Sequence, residues 1–292
     1  MANLKDLKTR IKSVKSTQKI TRAMKMVSAS KLRRARENSE RAIPYAQRME
    51  RVVQTLASNV SPDNAPKLLV GNGKDQIHLL IAVSSDRGLC GGFNANLTKA
   101  VKRKAAELVA AGKEVKIICL GKKGYEILRS THGQYIIDKI QGIASKKNVP
   151  FSDAEEQTLK ILKMFEEGAF DVCTIFYNKF ISAISQKVTA QQLIPLNIGE
   201  NLQDAASSSI YEYEPSEEKI LSDLLPRNIS VQVYNAFLEN SASEHGARMA
   251  AMDNATRNAG DMIKKLSLIY NRTRQAVITK ELLEIIAGAE AV

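Results

Sequence analysis

LKDLKTRIKSVKSTQKITRAMKMVSASKLRRAR, residues 4–36, is the stretch from which the rest of the chain is read. Alternate steps of three and four residues from Leu4 land on Leu4, Leu7, Ile11, Val14, Gln18, Thr21, Lys25, Ser28, Leu32, Ala35, Ser39, Ala42, Ala46, Met49, Val53, Leu56 and Val60, of which twelve are apolar. A 3.5-residue repeat held that long predicts a helix in a left-handed coiled coil, because only supercoiling keeps such a stripe facing one partner. Pro44 removes one backbone hydrogen bond and predicts a bend rather than an end. At Gln18, Thr21, Lys25 and Ser28 the stripe turns polar, while Ile20, Met24 and Val27 fall off it, so this part is expected to serve a contact other than the seam.

The same segment carries most of the charge. Residues 1–36 hold twelve Lys and Arg and one acid, Asp6, against a net charge of +12 for all 292 residues, so the remainder is nearly neutral. A basic, acid-poor start resembles an organelle transit peptide, but the heptads continue past residue 40 and no cleavage signal interrupts them, which reads as mature structure. With 44% apolar residues the chain can fill a real core. Cys90, Cys119 and Cys173 are far apart and there are three His, which argues against a disulfide framework or a zinc site and favours a reducing compartment. No apolar run reaches the roughly 18 to 20 residues needed to cross a bilayer.

A second long helix is predicted from just after Pro226 to Ala287, roughly 90 Å at the α-helical rise. Ala247, Ala250, Ala251, Ala255, Ala259 and Gly260 lie near one side of it, interleaved with Met249, Met252 and Met262. Gly246 and Gly260 would each cost about 1 kcal/mol in an isolated helix, which close packing on a neighbour would offset. From Ile263 to Ile286 the pattern is apolar over more than one face, as in Leu282, Leu283, Ile285 and Ile286, and such an end needs enclosing. The simplest arrangement is an antiparallel coiled coil of the two terminal helices with a globular middle; a long bundle whose charges merely solvate its outer face is the plainer alternative.

In the middle the period changes. Ile77 to Val83, Val115 to Leu120, Tyr135 to Asp138, Val172 to Tyr177 and Gln186 to Leu193 read as strands, separated by helices at Phe93 to Ala111, Lys123 to Arg129 and residues 153–167. This alternation predicts a Rossmann-like α/β layer with a mostly parallel sheet. Residues 199–218, rich in Ser and Glu, read as an exposed connection. The segments are 1–60 for the N-terminal coiled-coil helix, 75–220 for the α/β domain and 226–290 for the C-terminal helix.

The one chemical motif is Gly88-Leu89-Cys90-Gly91-Gly92-Phe93-Asn94, between a strand and a helix. Glycine-rich loops there can cradle phosphate. This one lacks both the GxxxxGK[ST] and the GxGxxG spacing, and the second strand ends in Leu120-Gly121-Lys122 rather than a ribose-binding acid. A tight turn with close backbone contact is the better reading. Cys90 is read as a small buried residue rather than a nucleophile, and no paired-carboxylate or Ser/His/Asp constellation is present, so neither a catalytic residue, a cofactor nor a metal is expected.

Four blocks in order resemble the gamma subunits of F-type ATP synthases, of bacterial type, along essentially the whole length. They are Lys12-Ser13-Val14 with Thr17-Gln18-Lys19-Ile20-Thr21-Arg22-Ala23-Met24-Lys25-Met26-Val27; Ser85 to Asn94; Asn178-Lys179-Phe180; and Tyr270-Asn271-Arg272-Thr273-Arg274-Gln275-Ala276-Val277-Ile278-Thr279-Lys280-Glu281-Leu282. The resemblance implies a non-catalytic rotor shaft inside three alpha and three beta nucleotide-binding subunits, with the α/β part bearing on the membrane c-ring. It implies contacts to the catalytic ring at Met24, Lys25, Arg248, Arg274, Gln275, Thr279 and Glu281. Tyr211 and Glu214 would face the c-ring, and Cys90 the epsilon subunit. It also implies peripheral attachment at the cytoplasmic face of a bacterial inner membrane. Chloroplast members carry an extra segment with a regulatory cysteine pair, which this sequence lacks.

Two other classes compete. The basic end could bind nucleic acid through phosphates alone, but residues 1–36 have no aromatic residue for base stacking and no helix-turn-helix, zinc or RNA-recognition signature, so no nucleic-acid partner is expected. A glycine-loop nucleotide enzyme rests on the weak motif above.

Overall fold

The computed structural model describes residues 4–60, 65–143, 146, 149–196 and 217–290. In order they form α1 (Leu4–Asn59), α2 (Lys67–Val70), β1 (Ile77–Val83), α3 (Phe93–Ala110), β2 (Glu114–Leu120), α4 (Lys122–His132), a 3-10 turn at Gly133–Tyr135, β3 (Ile136–Ile140), α5 (Phe151–Glu166), β4 (Val172–Phe180), β5 (Gln186–Ile194) and α6 (Glu217–Glu290). Contacts group the chain into two compact units, residues 1–28 with 248–292 and residues 29–247.

The larger unit holds a five-stranded sheet in the order β3-β2-β1-β4-β5. The first four strands are parallel and β5 is antiparallel to β4. Central β1 is apolar from Leu79 to Val83 because both its faces are covered. Leu79, Ile81 and Val83 meet Ile161, Leu162 and Phe165 of α5 and Ile229, Val233 and Phe237 of α6. Leu80 and Ala82 meet Leu97, Val101 and Ala105 of α3 and Leu128 of α4.

All sixteen stripe positions within α1 are buried or half-buried, as is Val60 just beyond it, so the 3.5-residue pattern identifies its packed face. The helix continues through Pro44. The last helix differs from the sequence reading, since α6 begins at Glu217 and runs through Pro226. Its early turns carry Leu221 and Leu225, which pack in an apolar cluster with Val53 and Leu56 of α1 and Leu69 of α2. That burial outweighs the ~3 kcal/mol an interior proline costs.

Both helical glycines answer to close neighbours. A Cβ at Gly246 would lie 3.2 Å from the Phe180 ring, and one at Gly260 would lie 3.1 Å from Gln18 Nε2.

Candidate functional site

Within the smaller unit the two helices run antiparallel, because rising numbers on α1 meet falling ones on α6. Gln18 Nε2 donates to the Thr256 carbonyl oxygen at 3.4 Å, the Thr21 and Thr256 hydroxyls share a hydrogen bond of 2.7 Å, and Lys25 Nζ donates to Asp253 Oδ1 at 2.6 Å. The polar interruption is therefore a polar layer of the seam itself, where the sequence had placed it off the seam, although the Lys25 side chain keeps 44% of its surface exposed. Two of the three displaced apolar residues, Ile20 and Val27, take the outside. Ile20 and Val27 are each 57% exposed, and Met26 is exposed beside them.

Of the residues expected to touch the catalytic ring, Met24 and Lys25 are half-buried at this layer. Arg248 is buried five residues before Asp253 on α6, roughly 7.5 Å along the helix. Lys25 is committed to Asp253, whose carboxyl is held below the usual carboxylate range by the Lys25 hydrogen bond and by the charges of Lys25 and Arg257.

Arg274, Gln275, Thr279 and Glu281 form a second group, all exposed, further along α6. Half-burial recurs at Ile263, Leu266, Tyr270, Thr273 and Val277, and then stops; every residue from Ile278 to Ala289 is exposed. The antiparallel register explains the change, since Leu4, the first described residue of α1, falls opposite about Tyr270 to Thr273. Beyond that point Leu282, Leu283, Ile285 and Ile286 present apolar surface on several sides of a helix, unpaired among the described residues.

Cys90 lies in the larger unit, between β1 and α3. It is buried against Phe93 and Ala247, and its sulfur accepts from Asn94 Nδ2 at 3.3 Å. The neighbouring Leu89 is 61% exposed and is held at φ +65°, a left-handed backbone that a leucine rarely adopts. Sequence reading singled out Cys90 and passed over Leu89, whose backbone leaves no trace in composition. Tyr211 and Glu214 lie outside the described residues, as does residues 199–216 of the expected polar connection.

The glycine loop is filled by its own side chains. Ser85 Oγ donates to the Arg87 carbonyl oxygen at 2.7 Å and accepts from Asn94 Nδ2 at 2.8 Å. At the strand ends, where doubly wound sheets receive nucleotides, Ser84 Oγ donates to the Leu120 carbonyl oxygen and accepts from Gly124 N. About 20 Å³ remains between Ser84, Gly121, Ile143, Phe237 and Asn240, room for one water and no nucleotide. Burial pushes the Cys119 thiol up to about 12 and the Cys173 thiol upward as well, so both stay protonated and unreactive. Among the described residues no helix is long and apolar enough to cross a membrane.

A family model described as "ATP synthase" matches residues 3–292. The chain is 56% identical to the ATP synthase gamma chain of Sinorhizobium medicae (strain WSM419) over 292 residues, covering 100% of both. It is 57% identical to the ATP synthase gamma chain of Rhodospirillum rubrum over 300 residues, again covering 100% of both. Among solved structures it is similar to a chain of the central stalk and c-ring of the Tetrahymena thermophila mitochondrial ATP synthase. There the TM-score is 0.60 at 28% identity, covering 81% of this chain and 99% of that one. A rotor chain of the Euglena gracilis mitochondrial ATP synthase shares the fold, with TM-score 0.65 at 19% identity and coverage of 94% and 98%. Full-length identity at this level, on a matching fold, leaves one conclusion: the chain belongs to the ATP synthase gamma chain family.

Proposed function

We propose that the chain is the non-catalytic central rotor shaft of a bacterial F-type ATP synthase, coupling proton-driven rotation of the membrane c-ring to conformational cycling of catalytic ATP sites. The gamma chain relatives, matched end to end, carry this reading. The partners are three alpha and three beta nucleotide-binding subunits, the epsilon subunit and the c-ring, with peripheral attachment at the cytoplasmic face of the inner membrane.

A shaft couples sites by meeting each with a different face, so that its contacts bias open and closed conformations unequally. The terminal helices α1 and α6, the latter starting at Glu217 rather than after Pro226, supply the shaft, and the sheet with its covering helices supplies the α/β part. Met24, Lys25 and Arg248 form one contact with the ring, and Arg274, Gln275, Thr279 and Glu281 a second nearer the tip. Exposed charge pairs contribute only about 0–1 kcal/mol each, which suits an interface that must exchange partners. The apolar tip from Leu282 onward suits a sleeve of hydrophobic side chains that permits turning. Tyr211 and Glu214 are assigned to the foot on the c-ring. Cys90 shapes the loop that faces epsilon, and Leu89 supplies its exposed apolar surface.

Tagging the chain in its host and purifying it from gently solubilised membranes tests the assignment. Recovery of an ATP-hydrolysing assembly with two larger nucleotide-binding subunits, each in threefold excess, is expected. Recovery of nucleic acid, or of the chain alone, would refute it.

A further inference from the structure

Lys25 sits on the most basic segment of the protein, yet its ammonium does not stand free. Asp6 is the only acid among the first 36 residues, so α1 supplies no counter-charge near it. The counter-charge comes from α6, across the seam. Asp253 Oδ1 takes Lys25 Nζ at 2.6 Å, and Oδ2 takes Arg257 Nη2 at 3.2 Å. Asp253 thus faces two cations, one on each oxygen. Both side chains of the Lys25 pair remain partly open, 44% and 33% exposed, so an acidic group on a partner can approach and compete. The pair is also framed by the Thr21–Thr256 and Gln18–Thr256 hydrogen bonds, which fix the register and hold Asp253 opposite Lys25.

We infer that Asp253 is a positioning residue: it holds the Lys25 ammonium against the shaft and limits how firmly that cation engages acidic surface on the surrounding ring. The inference rests on the reading above that Lys25 faces the ring. A cation with no internal partner would bind each passing carboxylate more strongly and release it more slowly. An internal carboxylate within reach turns each release into an exchange between two partners. Electrostatic attraction of this kind weakens as ionic strength rises, whereas loss of a seam contact does not recover with salt.

The test uses the assembled complex carrying Asp253→Asn, Lys25→Gln, the two together, or Thr256→Val. Thr256→Val removes the Thr21–Thr256 hydroxyl bond but keeps the Gln18 bond to the Thr256 backbone carbonyl, so the register and the Lys25–Asp253 pair stay in place and the variant serves as the structural control. ATP hydrolysis is followed at about 20 and about 200 mM salt. Asp253→Asn should slow turnover about two- to fivefold at low salt, within the range one exposed ion pair can contribute, and recover at high salt. In the Lys25→Gln background Asp253→Asn should add no salt-dependent slowing, and Thr256→Val should show none. Equal, salt-independent losses in Asp253→Asn and Lys25→Gln would overturn the inference, reducing the pair to a structural bond. A photo-crosslinking amino acid at position 24 separates the two levels. A crosslink to the ring without salt-dependent slowing sinks the positioning role alone, and no crosslink sinks the ring-contact reading with it.

Discussion

At Gly121 φ is +107°, and a Cβ there would fall 2.4 Å from the Ser84 carbonyl oxygen. At Gly124 a Cβ would fall 2.6 Å from Ser84 Oγ. Gly121→Ala is therefore expected to cost about 1–3 kcal/mol, seen as a lower urea midpoint with an unchanged slope, because the strand end cannot give way. Met24→Lys would place a second cation beside Lys25 and add a bond to an acidic loop of the ring. It should impair coupling, so that ATP-driven proton pumping falls further than ATP hydrolysis; unchanged values of both would count against the contact. His78 gives a pH prediction. Its Nε2 lies 2.8 Å from Asp75, but burial dominates and keeps its pKa below the usual histidine value. Asp75 is held below the carboxylate range chiefly by its hydrogen bond from Lys113. Both folded pKa values are depressed, so each contribution is present above the unfolded pKa and is lost as pH falls through the folded one. Stability should decline on acidification from pH ~6.5, and thermal melting of His78→Leu should show a shallower decline over pH ~6.5 to ~5.

Among the elements, α6 changes character along its length. It is packed through residue 252, paired along one stripe to Val277, and exposed on all sides beyond. Among the described residues Ile286 to Ala289 are exposed, so removing the residues after Ile285 should leave the melting of the remaining chain unchanged while the assembled motor keeps only part of its torque. Full torque after truncation would argue against a bearing at the tip. Much of this was legible beforehand. The heptad stripe identified the packed face of α1, and the five segments read as strands became β1 to β5 within a few residues. Two features were not. Pro226 reads as a boundary because local propensity penalises it, whereas Leu221 and Leu225 are fixed by residues 53, 56 and 69, which lie far away in sequence. The polar layer reads as a break in the stripe because Asp253 and Thr256, its partners, sit about 230 residues downstream. Of the residues proposed as contacts, Lys25 falls on the heptad stripe in the sequence, whereas Arg274, Gln275, Thr279 and Glu281 follow from the family resemblance alone. Burial of Cys90 beside Phe93 and Ala247, and exposure of Leu89, required the fold.

For the whole molecule the chemistry is that of transmission. The crevice that could hold a nucleotide is closed by Ser84, the cysteines are buried, and the surface proposed to meet the ring lies on the two long helices. The native thiols' burial also provides the most direct test of the rotor assignment. Ile184, 87% exposed at the β4–β5 turn, replaced by cysteine gives a labelling site apart from Cys90, Cys119 and Cys173. With the catalytic ring of the assembled complex fixed to a surface and a bead on Ile184→Cys, ATP should drive continuous one-way turning with three equally spaced stops per revolution. A bead that stays still while the same complexes hydrolyse ATP would contradict the account.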